Sequence, residues 1–229
     1  MTTTLETTPT VSAQAGAAPC NDPAATGAMR LHWSPKSPYV RKVMICAHEL
    51  VLLDRLELVR SVAAMLKPNQ RLMQDNPLSK IPTLVLADGF TLFDSAVICE
   101  YLNDLVDGPL FPRQPADKWQ ALRWHAFGDG LLDALILWRN EREREVPLPT
   151  LIDAFELKAQ ASLKQLDDEA QALAEMPLSI GHVAIGCALG YIDYRFEAMN
   201  WRAAAPRLAE CFAELCKRSS FQSTEPVDG

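Results

Sequence analysis

Strand-like runs stop at residue 93, and from Asp94 to about residue 217 the chain carries helical periodicity alone. Such a chain folds as a mixed α/β unit followed by an all-helical one, because the two periods bury different faces. Before the change the predicted order is β-α-β-α-β-β-α. Residues 30–34 and 55–59 read as short strands, and 68–75 as a short polar helix. Residues 82–93 (PTLVLADGFTLF) read as a hairpin around Asp88-Gly89, a favoured two-residue turn. Ser37-Pro38 sets a capping residue before proline at a first helical position. Val40, Val43, Met44, Ala47 and Val51 then follow on one face. Asp94-Ser95 starts the next helix, with Val97, Ile98, Tyr101, Leu102 and Leu105 expected inside.

The segment 107–115 (DGPLFPRQP), with three prolines and a glycine, reads as a linker. Beyond it, residues 116–145, 150–175, 179–197 and 204–217 are predicted helices. The helix from Ser179 has the widest apolar face (Val183, Ala184, Cys187, Ala188, Tyr191, Ile192) and is the expected core of this half. The run RNEREREV (139–146) is expected to be the solvated end of the first long helix.

The chain has 229 residues, 48% of them hydrophobic and 22% charged, as in an ordinary globular protein. It has no run of 18 apolar residues, so no helical membrane span is expected. A net charge of −7 without a basic stripe disfavours nucleic acid as a partner. The six cysteines are far apart, without CxxC spacing, and read as buried thiols in a reducing cytoplasm. Four scattered histidines give no metal-ligand spacing, so no metal is expected. The Thr/Ala/Pro-rich stretch 1–28 has no Lys or Arg and no continuous apolar core, which excludes a secretory signal and reads as a disordered leader. Met29, just before the first strand, is the expected natural start.

Three features carry chemistry. SPKSPYVRKV (34–43) joins the first strand to the first helix, NPLSKIPTLVL (76–86) sets a proline at a strand start, and DSAVICEYL (94–102) opens a helix with an acid and a hydroxyl. Ser37 stands where free N–H groups and the helix dipole favour an anion. A hydroxyl donating to a thiolate contributes on the order of 1.5–3 kcal/mol. That is enough to bring a thiol from near 8.5 to about 7 and make it nucleophilic at neutral pH. If Ile81-Pro82 is cis, Ile81 turns its N–H and C=O toward an extended peptide rather than along the strand. Asp94 suits an α-ammonium group, and Ser95 with the following N–H groups suits a carboxylate. An amine and a carboxylate on one carbon describe a γ-glutamyl end.

At these residues the chain resembles the glutathione transferase superfamily, from about Met29 to Phe221. SPKSPYVRKV is similar to the active-site loop of bacterial, delta/theta-like and omega-like members, where the catalytic Ser or Cys precedes the helix. NPLSKIPTL resembles the family's N-P-x-G-K-[VI]-P-T-L, whose proline is cis, and DSAVICEYL resembles [ED]-S-x-x-I-x-x-Y-L. DGLLDA (129–134), LGYIDYRF (189–196) and RSSFQSTEP (218–226) look like a bacterial subgroup.

The resemblance implies a thioredoxin-like glutathione-binding domain over 29–106, a linker over 107–115, an all-helical substrate and dimerisation domain over 116–222, and a tail. It implies a homodimer that conjugates glutathione, a co-substrate rather than a cofactor, to a small electrophile, as in detoxification. Ser37 then holds the thiolate, with Ser34 the alternative hydroxyl. Ile81 pairs with the cysteinyl backbone, Pro82 fixes that geometry, Asp94 and Ser95 bind the γ-glutamyl group, and Lys80 meets the glycyl carboxylate. Trp124 and Phe127, with His125 and Trp138 on the same helix, are candidates for lining an apolar pocket, core packing being the other reading; Ser34 is a further candidate for that pocket. No acid–base role is assigned to His125 and Asp129.

Some residues depart from the family pattern. Ser79 replaces a glycine, implying a backbone that does not need positive φ. Ala96 removes one contact with glutathione that some members make. His182 replaces the Asp that closes a capping box, implying a helix start weaker by about 0.5–1 kcal/mol. No Tyr stands at the end of the first strand, and Cys46 lies inside the helix, so a serine-type site is expected. Two other readings stay open: a protein that acts through protein contacts, as stringent-starvation-type proteins do, and a glutathione-dependent reductase or isomerase.

Overall fold

Strand β1 (Met29–Trp33) is central to a four-stranded sheet of order β2-β1-β3-β4. It pairs in parallel with β2 (Leu56–Arg60) and antiparallel with β3 (Thr83–Val85), which pairs antiparallel with β4 (Thr91–Leu92). The structure is a computed structural model and describes residues 27–228. Most of the expected leader, with Cys20, lies outside the described residues. A parallel pair needs a long crossover, here built around helix α1 (Pro38–Glu49), whereas β3 and β4 need only the hairpin. Gly89 takes the turn at φ 89°, and the Asp88 carboxylate accepts the Phe90 N–H at 2.8 Å.

Helix α2 (Ser95–Leu105) buries Ser95, Ile98, Cys99, Leu102 and Asn103. Val97, expected inside, is 44% exposed, because the buried stripe is one residue out of phase with it. The helical half consists of α3 (Pro115–Arg142), α4 (Pro149–Asp168), α5 (Ala170–Glu175), α6 (Ile180–Arg195), α7 (Trp201–Ala204), α8 (Pro206–Cys216) and α9 (Ser219–Gln222). Every residue of α6 from Ile180 to Ile192 is buried, as its apolar sequence predicts. Helices α3 and α6 approach almost backbone to backbone. A Cβ on Gly128 would lie 2.5 Å from the Ala184 carbonyl carbon, and one on Gly181 would lie 2.6 Å from Trp124 Cβ. A thioredoxin-like α/β half is thus followed by an all-helical half.

Several expectations are corrected by local hydrogen bonding. The helix expected over 68–75 is only a 3-10 turn, Leu72–Gln74. The Asn69 side chain accepts the N–H groups of Arg71 and Leu72 at 3.1 and 3.2 Å, and Pro77 prevents extension. The helix expected over 150–175 breaks at Glu169, whose carboxylate is drawn to Arg123 and to the Trp124 indole N–H at 2.7 Å. The helix expected from 204 starts at Pro206. The run at 139–146 leaves the helix after Arg142, and Glu141 is buried, accepting the Leu148 N–H at 2.8 Å. Val51 is not on the α1 face at all. It lies beyond the helix end at φ 57° and is 89% exposed. There its N–H donates to His48 and that of Leu52 to Ala47, a Schellman closure.

The start of α6 is stronger than expected. His182 Nε2–H donates to the Leu173 carbonyl at 2.9 Å, which leaves Nδ1 to accept the Ser179 N–H at 3.1 Å. The imidazole closes the capping box and ties α5 to α6, which a shorter Asp side chain does not do. Burial holds its pKa below the ordinary value, against the pull of the Leu173 carbonyl. Cys46, Cys99 and Cys187 are buried thiols and Cys211 and Cys216 half-buried ones, all free. Among the described residues no helix is long and apolar enough to cross a membrane.

Candidate functional site

Strand register brings the three sequence features to one end of the sheet. His32 is paired with Thr83, so the chain leaving β1 toward Ser34 and Ser37 runs beside the Ile81-Pro82 segment entering β3. Leu84 is paired with Leu92, so the chain leaving β4 toward Asp94 and Ser95 emerges at that same end. Helices α1 and α2 both begin there, and their free N–H groups and dipoles make the end favourable to anions.

Ser37 is the N-cap of α1, half-buried, and its Oγ accepts the Val40 N–H at 3.3 Å. That bond uses a lone pair and leaves the hydroxyl proton for another acceptor. Ser34 is more deeply buried, at 9% exposure, and its carbonyl accepts the Ser37 N–H at 3.3 Å. The peptide bonds Ile81-Pro82 and Phe93-Asp94 are both cis. Ile81 is half-buried, Pro82 buried and Lys80 exposed. Asp94 is the exposed N-cap of α2 and accepts the Ala96 N–H at 2.8 Å, while Ser95 is buried. Tyr39, close by on α1, donates its hydroxyl to Asp133. Burial, reinforced by that carboxylate, raises its pKa far above the ordinary value, so the phenol stays protonated.

Of the α3 aromatics that the sequence left open between pocket lining and core packing, the two tryptophans are core. Trp124 is wholly buried, packs edge-on against His182 and donates to Glu169, so it is core of the helical half. Trp138 is also core, stacked on Phe196 with ring centres 4.6 Å apart. Phe127 is half-buried against the core. A cavity of about 330 Å³ among α5, α6 and α8 is lined by Leu173, Met176, Ile185, Leu208 and Phe212, and includes none of the residues named above at the sheet end.

Comparison with known proteins decides the family. A family model described as "Glutathione S-transferase, N-terminal domain" matches residues 36–105. A glutathione transferase family member from Pseudomonas fluorescens Pf-5, solved with bound glutathione, is 37% identical. It matches over 88% of this chain and 100% of its own, with a TM-score of 0.84. The chain belongs to the glutathione transferase family. A glutathione S-transferase from Methylobacillus flagellatus KT with glutathione bound is 33% identical over 87% of this chain and 100% of its own, at a TM-score of 0.79. The uncharacterized GST-like protein YibF of Escherichia coli K12 is 29% identical over 208 residues, 86% of this chain and 98% of that one.

One departure from the transferase motif is corrected by the structure. Ser79 does take positive φ, 52°, as the glycine it replaces would. Its Oγ accepts the Asn69 N–H at 2.8 Å and its N–H donates to the Asn76 carbonyl at 2.9 Å, so local bonds hold the left-handed turn.

Sequence reasoning missed the groups that hold this end of the sheet in place. Asn76, fully buried, donates to the Lys80 carbonyl at 3.3 Å and to Thr83 Oγ1 at 2.9 Å, bracing the turn before Ile81. Lys42, also fully buried, leaves the opposite face of α1 for Asp129 on α3, with His125 Nε2 at 3.0 Å. Arg41 donates to the Phe221 carbonyl at 3.2 Å, passing where a side chain at Gly190 would lie 2.1 Å from its guanidinium. The available signal was a pair of adjacent cations inside an otherwise apolar helix.

Proposed function

We propose that this chain is a serine-type glutathione transferase that ionises the glutathione thiol and directs it at a small electrophile. The observation that carries the reading is the meeting of the Ser37, Ile81-Pro82 and Asp94-Ser95 segments at one sheet end, beneath two helix N-termini. Ser37 donates its spare proton to the thiolate, and the α1 dipole adds to the effect. Ile81 pairs with the cysteinyl backbone beside Pro82. Asp94 and Ser95 take the γ-glutamyl ammonium and carboxylate, and Lys80 the glycyl carboxylate. Relatives solved with glutathione bound support the same occupant here. The proposal assigns residues 29–106 to glutathione, 107–115 to a linker and 116–222 to the electrophile and to a homodimer contact, in the cytoplasm. Phe127 and Ser34 remain as pocket candidates.

Glutathione-agarose retention and thermal shift with glutathione test this on the wild type and on the Ser37→Ala and Asp94→Ala variants. Asp94→Ala should lose retention. Ser37→Ala should keep it and lose turnover of an aryl halide by about ten-fold or more, the effect of one strong hydrogen bond to the reacting anion. A wild type indifferent to glutathione puts the protein-contact reading ahead.

A further inference from the structure

His32 joins two segments that the sheet alone does not connect. It lies on β1, 5% exposed, with Nδ1 2.8 Å from Ser61 Oγ and Nε2 2.8 Å from the Asp75 carboxylate. A carboxylate only accepts, so Nε2 carries the proton and donates to Asp75. Ser61 is itself fixed, its N–H donating to the Trp33 carbonyl at 2.9 Å, which sets one edge of the ring. Asp75 adjoins Asn76, whose amide braces the Lys80 carbonyl. One short path of bonds therefore runs from the sheet through His32 and Asp75 to the turn that presents Lys80 and Ile81.

We propose that His32 is a positioning residue for the tripeptide's cysteinyl and glycyl portions, acting through Asp75 on the 76–82 segment. The inference rests on the glutathione reading above and adds to it a residue outside the three motifs. The bond to Asp75 is the one that matters; the bond to Ser61 orients the ring. A glutamine places its amide near Nε2 and preserves the Asp75 bond. An asparagine places its amide near Nδ1, reaches Ser61 alone and releases Asp75.

The test is calorimetric binding of glutathione and of γ-glutamylcysteine to the wild type, His32→Gln, His32→Asn, Asp75→Ala and the His32→Asn/Asp75→Ala double variant. For glutathione, His32→Gln should bind within about two-fold of wild type, and His32→Asn about ten-fold more weakly, the worth of one charge-assisted hydrogen bond. Asp75→Ala should match His32→Asn, and the double variant should be no weaker than either. γ-Glutamylcysteine, which lacks the glycyl carboxylate, should lose less affinity than glutathione in each weakened variant. Asp75 is partly exposed, so its variant keeps the question open to measurement if a His32 change prevents folding. Equal affinities for the Gln and Asn variants, additive losses in the double variant, or unchanged glutathione binding in Asp75→Ala overturns the inference alone. Absence of glutathione binding by the wild type overturns the function it rests on as well.

Discussion

Lys42 Nζ lies 2.7 and 2.6 Å from the two carboxylate oxygens of Asp129, tying α1 to α3 through a pair whose lysine is fully buried and whose aspartate is 25% exposed. Burial alone would raise the Asp129 pKa, but the His125 hydrogen bond and the Lys42 charge together hold it below the usual carboxylate range. Removing the carboxylate (Asp129→Ala) strands a buried ammonium and should cost about 3–5 kcal/mol in urea unfolding. Lys42→Met leaves a carboxylate that water can reach, so it should cost clearly less. Since the native pKa is depressed, the pair's contribution is full above about pH 4 and fades as pH falls through the native value. Equal costs for the two variants would argue against this asymmetry.

His182 gives the opposite pH signature to an ion-paired histidine. Its native pKa is lowered, so below about pH 6.5 the unfolded chain takes up a proton that the native fold refuses. Stability should therefore decline between pH 7 and pH 5, and the decline should flatten below the native pKa. His182→Asn does not titrate, so its stability should fall less over that range. It should also be about 1–2 kcal/mol less stable at pH 8, having lost the Leu173 bond. An identical pH slope in both proteins would mean that the fold does not lower the imidazole's pKa.

Val51 holds a left-handed backbone with a β-branched side chain that touches little. Glycine there keeps the Schellman bonds and removes the steric cost of roughly 1–2 kcal/mol. After the entropy penalty of glycine, Val51→Gly should stabilise by about 0.5–1 kcal/mol. A fall in melting temperature would refute the conformational argument.

Gly128 faces the backbone of α6 at a distance no side chain fits. Gly128→Ala should destabilise by about 2–3 kcal/mol or fail to fold, because rigid backbone rather than a movable side chain is in the way. Gly130, two residues on, has nothing within 4 Å of an added Cβ. Gly130→Ala should be neutral or stabilising by up to about 1 kcal/mol. The contrast is read in the same denaturation experiment.

Local chemistry made much of this legible in the sequence. Ser37-Pro38, Asp88-Gly89 and Asp94-Ser95 each specify a helix start or turn within a few residues, and each element formed close to where it was read. What escaped was set by partners far away in the chain. Lys42 is 87 residues from Asp129 and His32 is 43 from Asp75, and no periodicity announces either bond. Trp124 stayed open between two readings because an aromatic on a helix face looks the same whether that face meets a cleft or another helix; the closeness of α3 to α6 decided for the core. Ser79 misled because a side-chain bond to Asn69 made a glycine-like turn available to serine.

Helix α1 begins at Ser37 and, one turn further on, is fastened by Arg41 and Lys42 to the far half of the chain. The two halves consequently share one frame of reference. A displacement of α3 is thereby carried to Ser37 as a tilt of its own helix. How far α3 can move relative to α1 therefore has a mechanical limit, set by the bolt between Lys42 and Asp129.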